Sequence, residues 1–494
     1  MKKLFLLILL IAVACQTAPL TSATNRDLLQ TSWDDRSVFR DGLSASYQSI
    51  LDQLPGASVY HIEYRIADDL YHVNGFEEVH YTNREILPLN EVQFHLFPNI
   101  LGGAITISNL LVNGKPATPK YELLDSLMRV PLSLPLEPDQ SIVIHMDFEV
   151  TVPRTVENNY GVLAFTDGVL ALAHAYPLIV VYDTKGWEAE IPSPQGDLVY
   201  SDASFYIVRI AAPKNLVIAA TGRKIQQETM GHEQIAAFAL GPARDFYLAA
   251  SPDYRIKTRT VGGVTINSFA PAPDQDGAQI ALDVASRSIS DYGQLYAPYP
   301  YTQLNIVSTP TLALGIEYPG QIAVAERIYA PNSSQQGTPN SVYMESTVAH
   351  EAAHQWFYNL VGNDQLDEPW LDEALAQFAT LEYYTTEYGI QAADGFRQSL
   401  EARWSRVNDA RIALDQPVAA FRGQEYGAIV YGRGPLFFDT LQHQMGQQAF
   451  NRFLKDYVAS NAWKIATTDG LKAAAEKNCS CDLTPIFNEW VYPN

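Results

Sequence analysis

Tyr60, Ile62, Tyr64 and Ile66 alternate with His61, Glu63 and Arg65. A period of two is the pattern of a strand with one face buried and one face wet. Strand-like runs recur at 91–96, 141–150, 204–211 and 246–250, and turn formers such as Val112-Asn113-Gly114-Lys115-Pro116 separate them. Residues from about 55 to 250 therefore read as mostly antiparallel β. A short helix is expected before them, over 37–53. Beyond residue 250 the period shifts to that of helices, at 341–361, 370–387, 393–409, 426–445, 447–460 and 468–477. The expected class is a multidomain α+β protein, with an antiparallel β-rich N-terminal domain followed by a mainly helical one.

Composition narrows this picture. A chain of 494 residues with 47% hydrophobic and 18% charged residues is a folded one, too long for a single core. Its formal charge of −22 argues against nucleic acid or anionic lipid as the main partner. The three cysteines, Cys15, Cys479 and Cys481, are too few for a disulfide framework or a four-cysteine zinc site. Cys479-Ser480-Cys481 reads as a structural loop, either bonded or as two thiols.

The start of the chain has the form of a targeting segment. Lys2 and Lys3 precede an apolar run over 4–14, which is too short to span a bilayer. The run ends in Ala12-Val13-Ala14-Cys15, which resembles a bacterial lipoprotein cleavage box with Ala12 in place of the usual Leu. Two outcomes are open: an acylated Cys15 that anchors the chain to a membrane, or an ordinary secretory cut nearby. Both set the protein outside the cytoplasm. The expected divisions are signal peptide 1–14, tether 15–33, β-rich domain 34–249 and helical domain 250–494.

The chemistry lies in the helical part. His350-Glu351-Ala352-Ala353-His354 falls in a helical segment, where residues four apart share a face and both imidazoles can reach one ion. Glu351 then sits beside the metal, where a carboxylate can accept a proton from water. By chance this pattern is expected about once in a hundred such chains. A third ligand is needed, and no cysteine is near. Glu373 follows nineteen positions after His354, in the first turn of a helix that Pro369 is placed to start. Two antiparallel helices would return Glu373 to the histidine pair, and two His plus one Glu form a catalytic zinc set with an open position, not a closed structural one. One Zn²⁺ per chain is expected.

HEAAHQWFYNLV, followed after eighteen residues by the Glu of WLDEALAQF, resembles the aminopeptidase N family of zinc metallopeptidases, the gluzincins. Leu314-Gly315-Ile316-Glu317-Tyr318-Pro319-Gly320 resembles the family's G-x-M-E-N exopeptidase motif, and Tyr431-Gly432-Arg433-Gly434 its Y-x-K-G element. Tyr176-Pro177, Val181-Tyr182-Asp183 and Ala219-Ala220-Thr221-Gly222 are similar to the family's N-terminal domain. The resemblance implies a thermolysin-like catalytic domain. It implies a peptide substrate whose free amino group is gripped by Glu317, with Gly315 beside it. It also implies Glu351 as general base and Tyr431 as donor to the oxyanion.

Several positions depart from the family pattern. Leu314 and Ile316 replace Gly and Met, Tyr318 replaces Asn, Ala374 replaces Gly, Arg433 replaces Lys, and Thr380 stands where many members carry Glu. The chain ends 63 residues after Tyr431, so the large helical C-terminal domain of many relatives is not expected. His174 is expected to line the subsite for the first side chain. The reading is an extracytoplasmic zinc aminopeptidase. Its rivals are an endopeptidase on the same site and a catalytically silent binding protein of the same fold.

Overall fold

The computed structural model describes residues 27–157 and 159–492. The proposed signal and lipidation site at Cys15 lie outside the described residues.

The chain first builds an eight-stranded sheet. In spatial order its strands are Arg223–Met230, Glu233–Ala243, Ser204–Pro213, Val59–Ile66, His72–Thr82, Ser141–Thr151, Ala104–Val112 and Lys115–Pro116. All neighbours are antiparallel except Val59–Ile66 and Ser204–Pro213. The Asn113-Gly114 turn closes its hairpin with positive φ at both residues, 49° and 73°, as a tight two-residue turn requires. Two four-stranded sheets and the small pair Tyr182–Asp183 and Gly186–Trp187 complete the β half among the described residues. The half-wet strand expected at 59–66 is instead covered on both faces: His61 and Glu63 are buried along with their apolar neighbours. The cause is the segment ahead of the sheet, where two 3-10 turns, Ser37–Gly42 and Ala45–Asp52, take the place of the expected helix. Before them Trp33 stacks on His61 at 4.2 Å.

From Arg255 onward a mixed five-stranded sheet forms, in the order Arg255–Val261, Val264–Ala270, Gln303–Thr309, Gln321–Ala325, Gly315–Tyr318. The helix α1 (Gln275–Leu295) crosses between its two parallel neighbours, Val264–Ala270 and Gln303–Thr309. Its buried face includes Ala278, Ala281, Leu282, Ala285, Ile289 and Tyr292, a stripe of helical period that mixes alanines with larger side chains. Gly315–Tyr318 is the antiparallel edge strand.

The remaining helices are α2 (Asn340–Ala353), α3 (Trp370–Tyr388), α4 (Ile390–Trp404), α5 (Glu425–Ala428), α6 (Gly434–Met445), α7 (Gln447–Asn461), α8 (Thr468–Cys479) and α9 (Thr484–Trp490). The helix expected over 341–361 ends at Ala353, because the chain turns back there. Asn359 N–H donates to His354 O, and Tyr358 takes φ 131°. The helix expected over 426–445 is broken by a π-helical turn, Ile429–Arg433. Cys479 and Cys481 are joined by a disulfide. Among the described residues no helix is long and apolar enough to cross a membrane.

The halves are riveted by Arg244, which is 1% exposed. Its guanidinium donates to Tyr358 O at 2.7 Å, Ser201 O at 2.9 Å and Lys464 O at 2.8 Å. A Cβ at Gly362 would overlap that guanidinium, so glycine there lets the two parts close on each other.

Candidate active site

Three elements converge on one cavity of about 540 Å³: the edge strand Gly315–Tyr318, the end of α2 and the start of α3. His350 and His354 are one turn apart on α2 and its cap, so both rings face the first turn of α3. His354 Nε2 lies 3.0 Å from His350 Nε2, and Glu373 Oε2 lies 3.1 Å from His350 Nε2 and 3.4 Å from His354 Nε2. Ligand bonds of about 2.0–2.2 Å in a tetrahedron separate ligand atoms by roughly 3.3–3.6 Å, so this triangle fits one zinc ion after opening by a few tenths of an ångström. His354 Nδ1 lies 2.9 Å from Phe357 O. Donation to that carbonyl fixes the tautomer and leaves Nε2 for a metal. His350 Nδ1 is buried and has no partner among the described residues. Thr380, where many relatives have Glu, gives its hydroxyl to Ala376 O instead.

The electrostatics also call for a cation. Burial works against charge on His354, but Glu317, Glu373 and Glu351 outweigh it and push the imidazole well above its usual range. A proton there stands in for a metal. Burial likewise opposes charge on Glu373, yet His354 and His350 hold its carboxyl well below the usual range. A second acidic cluster, Glu317, His354 and Asp372, shares His354 with the first.

Glu351 is buried, and its Oε2 has no hydrogen-bond partner among the described residues. Burial raises its carboxyl well above the usual range, Glu317 and Glu373 adding and His354 opposing. Gly315 and Glu317 are two apart on the edge strand and so share a face. A Cβ at Gly315 would overlap the Glu351 carboxylate. Glu317 is buried, and its Oε1 accepts a hydrogen bond from Gln365 Nε2 at 3.0 Å.

Tyr431 projects from the π-helical turn, and its hydroxyl donates to Glu373 Oε1. Glu373 thus turns one oxygen to the histidines and the other to the phenol. Two glycines bring the turn so close. A Cβ at Gly432 would stand 2.9 Å from Trp404 N, and one at Gly434 would stand 2.5 Å from Ala374 Cβ. The alanine after Glu373 therefore packs its methyl into the gap left by Gly434. Tyr426 stacks edge-on against Tyr431 at 5.6 Å. Arg433 is not in the cavity. It is buried and donates to the carbonyls of Ile412, Trp490 and Glu489, tying down α9.

Several lining residues were not legible in the sequence. Gln365 bridges Glu317 and Asp372, donating to Asp372 Oδ2 at 2.7 Å, and Asn363 Nδ2 donates to Asp372 Oδ1 at 3.0 Å. Asp372 adjoins Glu373, which was a usable signal. Asp197 arrives from the β half, and burial beside Glu317 and Glu373 raises its carboxyl well above the usual range. No local pattern marks it. His174 lines the cavity. It sits 3.9 Å from Asp245 Oδ2, which also accepts from Tyr358 Oη at 2.7 Å. Tyr318 stacks on Tyr247 at 3.9 Å and packs near His174, where the family pattern has Asn.

Residues 280–490 match the model of the peptidase family M1 domain. Over these residues the chain is similar to aminopeptidase N-like gluzincin domains of family M1. The chain is 23% identical over 295 residues to Aminopeptidase M1 of Arabidopsis thaliana, covering 57% of this chain and 33% of that protein. It is 26% identical over 257 residues to Aminopeptidase N of Lactococcus lactis subsp. cremoris (strain MG1363), covering 48% and 29%. The chain thus spans about a third of the length of the curated relatives it matches. Among solved structures, the M1 zinc metallopeptidase from Deinococcus radiodurans superposes with a TM-score of 0.65 at 19% identity, covering 89% of this chain and 94% of that one. A mutant two-domain M1 zinc metallopeptidase bound to L-arginine gives 0.66 at 18%, covering 93% and 96%. The shared fold is a β-rich N-terminal part followed by the helical gluzincin part, and the M1 cofactor, one catalytic zinc, fits the His350, His354 and Glu373 set.

Proposed function

We propose that this chain is a zinc-dependent aminopeptidase that removes the first residue of peptides outside the cytoplasm. The observation that carries the reading is Glu317: a buried carboxylate in the same cavity as Glu351, His350 and Glu373. A carboxylate so placed selects a cation, and the cation a peptide brings close to its first amide bond is its own ammonium.

His350, His354 and Glu373 would hold the zinc ion. When bound, it supplies Lewis acidity for the scissile carbonyl and makes a neighbouring water acidic enough to lose a proton near neutral pH. Glu317, oriented by Gln365, pairs with the α-ammonium and so sets which carbonyl lies over the site. Asp197 lines the same cavity. Glu351 takes the proton of the attacking water on its unpartnered Oε2 and passes it to the departing amine. Tyr431 turns its hydroxyl from Glu373 Oε1 to the oxyanion, at the cost of one hydrogen bond.

An extracytoplasmic setting rests on the basic start, the short apolar run and Cys15. The Cys479–Cys481 disulfide suits an oxidising compartment. The test is a set of aminoacyl fluorogenic amides, each free and N-acetylated, with and without a chelator. Free amides should be cut about 30- to 5000-fold faster in kcat/KM, the usual cost of leaving one charge of a buried pair alone. Chelation should abolish both rates. Equal rates for free and acetylated forms would favour an endopeptidase on the same site.

A further inference from the structure

Arg403, the penultimate residue of α4, lines the same cavity as Glu317, Glu351 and Tyr431. It is the only Lys or Arg among the described lining residues. Gly432 brings it there: a Cβ on that glycine would stand 3.1 Å from Arg403 Cβ, so α4 packs directly on the turn that presents Tyr431. The guanidinium is half-buried and forms no ion pair or hydrogen bond among the described residues. Arg397, six residues earlier on the same helix, shows the contrast: Asp394 and Asp439 each hold it at 2.8 Å. The charges around Arg403 do not supply a counter-ion. Arg406 is of like sign, and Glu373 is committed to His350, His354 and Tyr431. A cation withdrawn from water without a partner is costly, and an anionic ligand repays that cost.

The cavity therefore carries groups of opposite character: the acidic side chain of Glu317, and the guanidinium of Arg403. A volume of about 540 Å³ corresponds to a width of roughly 8 Å, and a residue of extended chain spans at most about 3.3–3.6 Å. A zwitterion of two or three residues matches both the size and the charge pattern. We propose that Arg403 is a specificity-determining residue that binds the α-carboxylate of short peptides, so that di- and tripeptides with a free C-terminus are the favoured substrates. This rests on the aminopeptidase reading above and extends it to the other end of the substrate. The planar fork of arginine suits a carboxylate better than lysine would.

The test compares kcat/KM for Leu-Ala, Leu-Ala-amide, Leu-Ala-Ala, Leu-Ala-Ala-amide and Leu-Glu-amide, with leucyl p-nitroanilide as a substrate lacking any carboxylate. The zinc-loaded full chain is used, as wild type, Arg403→Lys and Arg403→Met. The wild type should prefer free acids over amides by about 10- to 100-fold, the usual range for a hydrogen bond to a charged group. Arg403→Met should bring that ratio to within about twofold of unity, and Arg403→Lys should leave part of it. Wild-type acid-to-amide ratios near unity overturn the proposal even if the variants do not fold. Leu-Glu-amide cut as well as Leu-Ala overturns it in favour of an acidic side chain as the anion. Arg403→Met lowering p-nitroanilide and dipeptide hydrolysis equally overturns it in favour of a role on Tyr431. Failure of the wild type to cut any free-amine substrate would sink the aminopeptidase reading itself.

Discussion

Gly434→Ala adds one methyl at the point where the π-helical turn meets α3. Its Cβ would stand 2.5 Å from Ala374 Cβ, whereas carbon atoms pack at about 3.5–4.0 Å. The turn and α3 must separate by roughly 1 Å, and overpacking of that size costs about 1–3 kcal/mol. Replacing glycine by alanine in helical backbone returns about 0.5–1 kcal/mol. The net loss should be about 1 kcal/mol. Activity should suffer more, because the two surfaces being parted carry Tyr431 and Glu373. A misplacement of about 1 Å can cost about 10²-fold in kcat. The informative variant is the double one. Ala374→Gly alone loses about 1 kcal/mol of helix propensity and leaves a small gap. Added to Gly434→Ala, it moves the methyl from one surface to the other and restores the fit. The pair should couple favourably by about 1–3 kcal/mol in urea unfolding, within the range for residues in contact. The double variant should also recover most of the lost kcat. Additive losses in both stability and kcat would refute the claim that this methyl-to-glycine contact sets the spacing between Tyr431 and Glu373.

Other outcomes follow from the same structure. His354→Ala should lose zinc by elemental analysis. Glu351→Gln should keep zinc and lose about 10²–10⁴-fold in kcat, as for a general base. Tyr431→Phe should keep zinc and lower kcat about 10²–10³-fold with little change in KM; near-wild-type kcat would shift attention to Tyr426. Glu77 is fully buried with both carboxylate oxygens unpartnered among the described residues, and burial holds its pKa well above 4.5 in the fold. The unfolded chain therefore binds fewer protons than the fold above about pH 4.5, and stability from this group falls as pH rises. Glu77→Leu should remove that slope and stabilise the protein at pH 7 by about 1–3 kcal/mol, read by urea unfolding at pH 5 and 7. Cys15→Ser should release the protein from the membrane fraction or block its processing; normal processing and retention would disprove the lipid anchor.

What was legible in the sequence was legible for local reasons. The alternation at 59–66 marks a strand whether or not its second face is later covered, because pairing needs only the period. What the alternation does not carry is the cover itself, supplied by Trp33 from another segment. The helix α1 is not among the expected elements although its buried stripe, from Ala278 and Leu282 to Ile289 and Tyr292, keeps the helical period. The break at Ile429–Arg433 was missed because glycines at 432 and 434 lower helix propensity without saying what they make room for.

The candidate site divides along the same line. His350, Glu351 and His354 lie within one turn and a half of helix, so their spacing alone brings them together. Glu373 needed one further step, an antiparallel return, and the start of α3 at Trp370 provides it. Asp197 and Arg403 needed the whole fold. One reaches the cavity from the β half and the other because Gly432 seats α4 against the Tyr431 turn. No window of sequence contains either relation. The parts best read from sequence are thus those proposed to hold the metal and move the proton, where such a reaction dictates both residue type and spacing. The charges that would select the substrate are set by long-range packing, and they become visible only as unpaired groups in the assembled cavity.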